Sequence, residues 1–502
     1  MATTVASAAL NGVQAVEVEV EVDLLRRLPS VCIVGLPASA VRESAERVRS
    51  AIEASGHDFP RKRVVINLAP ADLRKEGTAL DLPMALGILA ADGVIEQRAA
   101  TSILAAGELA LDGRLRPIRG SLSLAIAARD SGRILVIPED NAPQAAMVPG
   151  ARVWAARTLS EVIDWLTAAS DPREATAPPL GSSTSSQRDG GPDLSDVRGQ
   201  HLARRALEIA AAGAHHLLLI GPPGCGKSML AQRLPSILPP LTFEEALQTT
   251  QVHCAAGLLT GSSGLAARPF RAPHHTVTVA GLVGSHSLRP GEVALAHHGV
   301  LFLDEAAEFR RSAIEVLRQP LEDGEIRITR AIGTVTWPAQ LTLVLASNPC
   351  PCGHLGSAQP CICSDNSIRS YRRKLSGPIL DRIDLHVEMA AIPPGDLLAG
   401  EPGEPSETVR SRVIAARKRQ VERRQGVPNA QLDARRLRQA VRLDPAALDL
   451  LQKAATRHGL SARSTTRIQK VARTIADLAG CSEIRFPHLV EALAFRPLHG
   501  IT

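Results

Sequence analysis

A glycine-rich segment near the middle of this 502-residue chain carries the residue types that hold nucleotide phosphates. Glycine lets backbone N–H groups close around a phosphate at the positive end of a helix, lysine reaches the β and γ oxygens, and a serine hydroxyl ligates Mg²⁺. The segment follows the apolar run Leu217–Ile220 and precedes a helical pattern over 229–238. Its residues are Gly221, Pro222, Pro223, Gly224, Cys225, Gly226, Lys227 and Ser228. This order of strand, turn and helix predicts an ATP site.

Two acidic residues follow a second apolar run, and they are candidates for the magnesium-binding carboxylate and the general base of ATP hydrolysis. Val300–Leu303 is predicted as a buried strand beside Leu217–Ile220 in one parallel sheet, and it ends at Asp304 and Glu305. Asp304 would hold Mg²⁺ through water, and Glu305 would orient and deprotonate the attacking water. The alternative is an acidic helix N-terminus, which is also favoured electrostatically. Because the two motifs occur in series, we expect ATP hydrolysis with ATP and Mg²⁺ as ligands.

Asn348 and Arg382 are polar residues at two further predicted strand ends. The buried run 341–346 leads to Asn348, where an amide would lie beside the γ-phosphate, although asparagine after a strand is also a common turn residue. Arg382 stands between two acids, just before the strand-like segment 385–389. In isolation it is an ion pair, whereas in a ring ATPase it is a candidate arginine finger that acts across a subunit boundary.

Composition limits the class of protein. The length predicts two to four domains, and no apolar stretch reaches membrane-spanning length, so we expect a cytoplasmic protein. Net charge is +6, and eleven Arg and Lys residues fall within 410–442 against Glu422 and Asp433. This run indicates either a solvated helix face or an anionic partner such as DNA. With one Tyr and three Trp, DNA contacts are expected at phosphates rather than at stacked bases.

The chain divides into an α/β amino-terminal domain, a nucleotide-binding core with a parallel sheet, and an all-helical end. Alternating strand and helix patterns over 1–167 predict the α/β domain. Residues 168–195 are rich in Pro, Ser, Gly and Thr and are predicted as a flexible linker. The core is assigned to 196–394, and helical periodicity with abundant Arg and Ala assigns 395–502 to helices.

Four of the eight cysteines form two closely spaced pairs after Asn348. Two Cys-x-Cys units eight residues apart, with His354 between them, offer four thiolates or a Cys₃His set to tetrahedral Zn²⁺. The cysteines are Cys350, Cys352, Cys361 and Cys363. A structural zinc is expected here, because a reducing cytosol disfavours disulfides and no open coordination position or general base accompanies the cluster.

These motifs resemble those of AAA+ ATPases in both content and order. Residues 221–228, the pair Asp304 and Glu305, Asn348, and Arg382 resemble Walker A, Walker B, sensor 1 and the arginine finger, respectively. A closer resemblance is to the magnesium-chelatase-like branch known as the YifB/ComM family. It rests on the segments 270–275, 281–284 and 347–353.

The YifB/ComM resemblance covers nearly the whole chain and implies a homo-hexameric ring with a helical lid. Arg463 resembles sensor 2 on that lid, and Val197 lies in a segment that resembles the adenine-contacting residues. For function, the resemblance implies DNA branch migration in homologous recombination and natural transformation. Recombination proteins would then be partners.

Two stretches of the amino-terminal domain resemble the signature segments of the Lon protease domain, which has an S5-like α/β fold. They span 75–82 and 107–118. A serine nucleophile needs a lysine base within hydrogen-bond reach, but the two expected positions are Ala79 and Leu122. The resemblance therefore implies a non-proteolytic domain that helps to assemble the ring or to contact its substrate.

Two insertions between the core motifs are candidates for DNA contact. Residues 259–296 are rich in Gly, Arg and His, with a predicted strand over 276–280, and the resemblance implies that such a hairpin faces the pore. The adjacent histidines of the pairs 274–275 and 297–298 would point apart in a strand, so neither pair is expected to share a metal ion. The alternating segment 324–333 predicts a second hairpin. The expected phosphate contacts are Arg271, Arg327 and Arg330. A polar, exposed hairpin face is the alternative explanation.

Three functions compete for this motor. The first is an ATP-dependent hexameric DNA translocase or helicase, the second is a chelatase-type subunit that drives metal insertion into a porphyrin, and the third is a protein-remodelling factor. The Lon-like domain and the cysteine cluster stand against the chelatase. Remodelling would call for aromatic pore residues, which the sequence does not clearly place. The DNA motor is the expected function.

Overall fold

The structure is a computed structural model of the chain. It describes residues 2–38, 41, 43–71, 75, 77–177, 191–259, 267–284, 289–330, 333–357, 359–375, 377–391, 402–423 and 425–496. Residues 178–190 of the predicted linker lie outside these residues. Within the described residues, no helix combines the length and the apolar character needed to cross a membrane.

A seven-stranded mixed sheet with helices forms the amino-terminal domain. The strands are β1 Thr3–Asn11, β2 Gln14–Leu25, β3 Ser30–Val34, β4 Arg63–Ala69, β5 Ile103–Ala105, β6 Glu108–Leu109, β7 Leu115–Arg116, β8 Ile134–Pro138 and β9 Val153–Ala156. The helices are α1 Ser44–Ala54, α2 Asp81–Ala91, α3 Gln97–Thr101, α4 Ser121–Asp130, α5 Ala142–Ala145 and α6 Leu159–Leu166. The strand order is β3-β4-β2-β1-β5-β8-β9, with β6 and β7 as a separate pair. The predicted α/β class is confirmed.

Backbone pairing at the edge of this sheet continues into the segment predicted as linker. The N–H of Ala155 donates to the carbonyl of Arg173 at 2.9 Å, and the N–H of Ala175 donates to that of Val153 at 2.9 Å. Residues 173–175 therefore lie against β9. The Pro- and Thr-containing composition of this stretch did not reveal that its backbone is paired.

A five-stranded parallel sheet organises the core. Its strands are β10 Leu217–Ile220, β11 Phe270–Arg271, β12 Val300–Leu303, β15 Thr342–Ser347 and β16 Leu385–Glu388, in the order β11-β12-β15-β10-β16. The expectation that β12 neighbours β10 is wrong, because β15 pairs with both. All six residues of β15 are buried, as suits a central strand that is covered on both faces. β13 Glu325–Arg330 and β14 Gly333–Pro338 form the predicted hairpin.

Helices surround the parallel sheet and make up the whole carboxy-terminal part that the structure describes. The core helices are α7 His201–Gly213, α8 Lys227–Ile237, α9 Phe243–Ala256, α10 Val279–Val283, α11 Glu292–Leu295, α12 Arg311–Glu315, α13 Arg318–Asp323, α14 Asp365–Lys374 and α15 Gly377–Leu380. The lid helices are α16 Ser406–Glu422, α17 Ala434–Ala440, α18 Pro445–His458, α19 Ala462–Leu478 and α20 Phe486–Ala494. Asp433, Asp444 and Ser461 cap the starts of α17, α18 and α19 with side-chain oxygens. The predicted helical lid is confirmed.

The lid and the nucleotide-binding core share one hydrophobic core. Ala206 of α7 and Leu230 of α8 belong to the same buried cluster as Val413, Leu451 and Ile475 of the lid. Burial of apolar surface contributes roughly 25 cal/mol for each Å² removed from water. The lid therefore stabilises the helices that flank the phosphate-binding segment.

The amino-terminal domain packs on α9 of the core. Cys254 is buried in a cluster with Leu122 and Leu124 of α4, and its thiol lies 3.4 Å from Oε1 of Gln144. Burial raises the pKa of the Cys254 thiol to about 12. This cysteine is therefore a packing residue rather than a nucleophile.

Many of the arginines in the basic run 410–442 bind the protein itself. Their partners belong to α7, α8 and α19, so the run joins the lid to the core. The bonds are Arg410 Nε to Ser236 O at 2.6 Å, Arg412 Nε to Glu208 at 2.6 Å, Arg417 Nη2 to Ala211 O at 3.1 Å, Arg419 Nη1 to Asp477 O at 2.8 Å and Arg423 Nη2 to Asp477 at 2.6 Å. These five arginines therefore form neither a solvated helix face nor a DNA-binding surface.

A buried polar network ties the start of β16 to the lid. Asp384 accepts hydrogen bonds from His215 Nδ1 at 2.9 Å and from Arg467 Nη1 at 2.8 Å, and His215 Nε2 lies 2.8 Å from Thr474 Oγ1. Burial alone would raise the pKa of Asp384, but the His215 hydrogen bond and the Arg467 charge hold it well below its usual range. Asp384 is therefore an ionised, fully paired carboxylate inside the protein.

Replacing Asp384 by Asn should destabilise the fold by about 3–5 kcal/mol, because the change leaves the Arg467 charge without its partner in a buried site. The stabilisation that ionised Asp384 provides is fully present above the carboxyl pKa of the unfolded chain, about 3.9. It is lost only as pH falls through the lower pKa of Asp384 in the folded protein. Denaturant unfolding at pH 7 measures the loss. The matched control is Asp381→Asn, since Asp381 is exposed and lies 4.0 Å from Arg496. Equal losses of unfolding free energy in the two variants would contradict the assignment of Asp384 as the buried, ionised partner of Arg467.

Candidate functional site

The phosphate-binding segment connects β10 to α8 through glycines that no other residue replaces without strain. Gly226 has φ of +93°, in the left-handed region that favours glycine. A Cβ on Gly221 would lie 2.6 Å from the carbonyl oxygen of Met389 and 2.8 Å from Cys225 Sγ. The segment therefore has the tight backbone and the helix N-terminus that the sequence predicts.

Lys227 lies inside this segment with its amine held by oxygen atoms. Nζ donates to the carbonyls of Gly221 at 2.6 Å and Pro222 at 3.0 Å, and to Oδ1 of Asn348 at 3.1 Å. Burial lowers the pKa of the Lys227 amine, and the nearby Cys225 and Asp304 charges oppose the shift. Phosphate oxygens can replace these carbonyls as acceptors, and they would restore the negative charge that the buried amine lacks. Asn348 thus lies beside Lys227 at the phosphate-binding segment, and its role as sensor 1 stays a prediction.

Ser228 and Asp304 meet across the sheet edge. The Ser228 hydroxyl donates to Oδ2 of Asp304 at 2.6 Å. Both residues follow the carboxyl ends of parallel strands, which lie at one edge of the sheet. A hydroxyl and a carboxylate are oxygen ligands of the kind that Mg²⁺ takes in nucleotide sites. The two residues therefore fit a magnesium ion, with the Ser228 hydroxyl as a ligand and Asp304 as the neighbouring carboxylate.

Glu305 has an exposed side chain beside this pair. Its backbone lies in the left-handed region, with φ of +50° and ψ of +46°, and its N–H donates to Oδ1 of Asp304 at 2.9 Å. Non-glycine residues rarely adopt this conformation, and those that do cluster at functional sites. The Glu305 side chain is 57% exposed, so its carboxylate is accessible to water.

The predicted adenine segment touches the phosphate-binding segment. Val197 is buried in the core cluster, and Gln200, three residues later, donates from Nε2 to the carbonyls of Cys225 at 3.2 Å and Ala390 at 2.7 Å. The segment therefore lies against the same nucleotide-binding surface as Lys227. Gln200 itself was not predicted as a positioning residue, and its glutamine side chain alone gave no signal.

Arg382 and Arg463 lie at the opposite edge of the sheet from Lys227. Arg382 precedes β16, whereas the phosphate-binding segment follows β10, and these two strands run parallel. Four strand residues span roughly 13 Å. Arg382 is largely buried, donates to the carbonyl of Pro378 at 2.6 Å, and pairs with Glu322. Arg382 can therefore not reach the nucleotide site of its own subunit by a side-chain motion alone.

Positive charge accumulates around Arg382. Burial lowers the pKa of the Arg382 guanidinium, Glu322 opposes the shift, and the charges of Arg318, Arg467 and Arg463 add to the lowering. Arg463 is exposed in the first turn of α19. The lid arginine therefore adds to the positive charge around the candidate finger, and Glu322 partly balances that charge.

The four clustered cysteines come together after Asn348. Their Sγ atoms lie within 4.8 Å of one another, and Cys350 is 3.4 Å from Cys352 and 3.7 Å from Cys361. A tetrahedral site with Zn–S bonds of about 2.3 Å has sulfur atoms about 3.8 Å apart, so the four thiols fit zinc. His354 is not part of this group; its backbone N–H lowers the pKa of the Cys352 thiol to about 6.

The chain matches magnesium chelatase families along most of its length. Residues 193–397 match the family described as magnesium chelatase, subunit ChlI; residues 20–141 match subunit ChlI of Mg-chelatase; and residues 403–496 match its C-terminal part. Competence protein ComM of Haemophilus influenzae is 43% identical over 494 residues, which cover 98% of this chain and 97% of that protein. The chain belongs to the YifB/ComM family. The uncharacterized protein YifB of Escherichia coli is 42% identical over 489 residues, 97% of this chain and 95% of that protein.

A more distant likeness is confined to part of the chain. The probable DNA helicase MCM9 of Arabidopsis thaliana is 32% identical over 187 residues, which cover 37% of this chain and 24% of that protein. Membership of the YifB/ComM family, a magnesium-chelatase-like group of AAA+ ATPases, implies ATP and Mg²⁺ as ligands.

The arginines predicted to contact DNA differ in their surroundings in this YifB/ComM protein. Arg271 pairs with Glu292 through two hydrogen bonds of 2.6 and 2.8 Å, which orient it within the core. Arg327 lies on the exposed face of β13, with 61% of its side chain accessible and Glu325 at 3.5 Å. Arg330 ends β13, but its side chain lies outside the described residues. Among the three arginines predicted to contact DNA, Arg327 is therefore the only one whose described side chain lies on an open surface.

The first insertion differs from the predicted hairpin. Residues 276–280 do not form a strand; α10 begins at Val279, and Thr278 accepts a hydrogen bond from the N–H of Gly281 at 3.1 Å. Burial of Leu282 and Val283 outweighs the β-propensity of the Thr and Val residues before them. The argument that neighbouring histidines point apart is also wrong, since the rings of His274 and His275 lie 4.0 Å apart in a turn. Residues 260–266 and 285–288 lie outside the described part.

The Lon-like positions contain no paired nucleophile and base among the side chains described there. Leu122 is buried in α4, and Ser121 beside it donates to Gln144 Oε1 at 3.0 Å. The Thr78 hydroxyl donates to Glu108. Fully buried Lys75 donates to the carbonyl of Leu68 at 2.8 Å. These three polar side chains are therefore held by other partners, and the non-proteolytic role of the domain stays a prediction.

If the cysteine group holds a structural metal, the purified protein should contain about one zinc ion per chain. Replacing Cys350 or Cys361 by Ser should remove that zinc, because a thiolate ligand is lost in either case. Elemental analysis after gel filtration measures the content. Cys481→Ser is the matched control, since Cys481 lies in the lid with its Sγ 3.8 Å from Ala479 O. Intact protein without zinc, purified in the absence of chelators, would refute the assignment.

Proposed function

We propose that this protein is an ATP-driven hexameric DNA motor, a translocase or helicase that promotes branch migration in homologous recombination or natural transformation. The observation that carries the proposal is the separation of Lys227 and Glu305 from Arg382 and Arg463 at opposite sheet edges. A nucleotide site of this kind is complete only when a second subunit adds its arginines. The proposal places the protein in the cytoplasm, with DNA and recombination proteins as partners.

Within one subunit, each side chain at the sheet edge would have one task. Lys227 would bind the phosphate oxygens, and Asn348, its hydrogen-bond partner, would orient the γ-phosphate. Ser228 and Asp304 would hold Mg²⁺, which when bound neutralises phosphate charge. Glu305 would take the proton of the attacking water.

The neighbouring subunit would supply positive charge. Arg382 and Arg463 lie together in a site whose guanidinium groups repel one another, and this repulsion would be relieved by the phosphates of an adjacent nucleotide. The Glu322 partner of Arg382 is half exposed and could be displaced when that interface forms. The arrangement makes hydrolysis depend on contact between subunits, as a ring motor requires.

DNA is the preferred substrate because of Arg327 and the partial likeness to a probable DNA helicase. The β13–β14 hairpin buries Ile326 and Ile328 and exposes Arg327, so it has one face for packing and one for a phosphate backbone. The chelatase-type subunit remains the second candidate, since the matching families bear that description. A protein-remodelling factor is the third.

Single-stranded or forked DNA should raise the steady-state ATPase rate of the wild-type protein, because phosphate binding to the hairpin would favour the hydrolytic state. Glu305→Gln should bind ATP but lose about 10²–10⁴-fold in kcat with or without DNA, since glutamine cannot accept the proton. An unfolded protein serves as the competing ligand. Stimulation by the unfolded protein alone would favour a protein-remodelling function. A normal kcat of Glu305→Gln would contradict the role of Glu305 as the general base.

Arg382→Ala should abolish ATPase activity, because no site in the ring would then receive a finger; the loss expected is about 10³-fold or more. Mixing it with the Lys227→Ala variant, which is also inactive, should restore part of the activity in sites that combine an intact Lys227 with a neighbour's Arg382. The rate of mixtures at several ratios measures this effect. Full activity of Arg382→Ala alone would exclude the trans role, and failure of every mixture would argue against shared sites.

A further inference from the structure

The β13–β14 hairpin is held by side-chain packing rather than by a larger sheet. Among the described residues, its two strands pair with each other and with no strand of the two main sheets. One face is buried, with Ile326, Ile328, Val335 and Trp337 in the hydrophobic cluster of the core, and the other face exposes Arg327. Because no wider backbone ladder fixes the hairpin, the elements that pack against it determine its position.

One of these elements is the turn between β1 and β2 in the amino-terminal domain. Gly12 and Val13 are the two residues beyond the last pair of the β1–β2 ladder. Gly12 is buried, and a Cβ there would lie 2.8 Å from Val335 Cγ1 and 3.0 Å from the carbonyl oxygen of Thr336. The backbone of the turn therefore packs directly against β14, with no room for a side chain between them.

The contact lies opposite Arg327 in the hairpin ladder. In the antiparallel register, Val335 pairs with Ile328 and Thr336 pairs with Arg327. Such cross-strand pairs have Cβ atoms about 4.5–5.5 Å apart. The turn therefore touches the two residues whose partners are a buried anchor of the hairpin and its exposed arginine.

The amino-terminal domain fixes the position of this turn. The Ser123 hydroxyl of α4 donates to the carbonyl of Val13 at 2.6 Å. α4 itself packs on α9 of the core through the buried cluster that contains Leu122 and Cys254. Val13 also packs against the cluster that contains the apolar face of the hairpin. The turn is thus anchored by α4 on one side and contacts the hairpin on the other.

We propose that the β1–β2 turn is a positioning element for DNA, in which Gly12 and Val13 hold the hairpin so that Arg327 meets the phosphate backbone. The effect on DNA contact rests on the proposed DNA-motor function, whereas the restraint on the hairpin does not. The Lon-like domain would then contribute to substrate engagement without a nucleophile of its own. ATP binding should not depend on the contact, because the phosphate-binding residues follow β10 and β12 rather than the hairpin.

Gly12→Ala tests the contact by placing one methyl group between the turn and β14. The hairpin must shift to admit it, so the DNA concentration that gives half-maximal ATPase stimulation should rise by about two- to fivefold, with DNA-free kcat and KM for ATP unchanged. Gly132→Ala is the matched control. Gly132 has φ of +69° against +68° at Gly12, but nothing lies within 4 Å of its Cβ position. The control therefore reproduces the backbone strain without the contact.

Amide hydrogen exchange gives a measurement that needs no DNA. In Gly12→Ala, the amides of residues 325–330 and 334–338 should exchange faster than in the wild type or in Gly132→Ala, because the hairpin has lost a restraint. Val13→Ser is a second variant that removes an apolar contact without straining the turn. It should change hairpin exchange in the same direction.

Unchanged hairpin exchange in both Gly12→Ala and Val13→Ser would overturn the restraint. Faster exchange with an unaltered DNA requirement would overturn the link to DNA contact, and so would an equal loss of DNA response in Gly132→Ala. A wild-type ATPase that does not respond to DNA would defeat the DNA-motor function. In that case, faster hairpin exchange in the two variants would still support the restraint.

Discussion

The parallel register of the five-stranded sheet is the constraint on which the rest of the structure depends. Because β10, β12 and β15 end at one edge, the phosphate-binding lysine, the two acids and Asn348 converge there without any long-range loop. The same register places the residues before β16 at the far edge. The sheet therefore separates the residues of the phosphate-binding edge from Arg382, which is proposed to contact the nucleotide of a neighbouring subunit.

Short motifs with a strict local geometry could be predicted from the sequence. The phosphate-binding segment, Asp304 after β12, Asn348 after β15 and the Cys-x-Cys pairs all follow from backbone requirements or ligand chemistry within a few residues. The strand order was missed because it depends on which apolar strand is buried deepest, and β10, β12 and β15 are all short and apolar. Periodicity does not distinguish central from neighbouring strands.

Tertiary contacts overrode local patterns in other places. The run 410–442 has the charge of a nucleic-acid surface, yet Arg412 and Arg423 pair with Glu208 and Asp477, which are far away in sequence. The stretch 276–280 has the composition of a strand, but its residues lead into a capped helix. The packing of Gly12 against β14 had no sequence signal, since it depends on how the amino-terminal domain sits on the core.

The common hydrophobic core of lid and nucleotide-binding domain has a consequence for cooperativity. Since Val413, Leu451 and Ile475 are buried among the same side chains as Leu207 and Leu230, removing the lid would strip the packing from both helices that flank the phosphate-binding segment. The two parts therefore form a single unfolding unit, although the sequence divides them into separate domains. A cut between them should therefore destabilise both parts rather than release two independently stable domains.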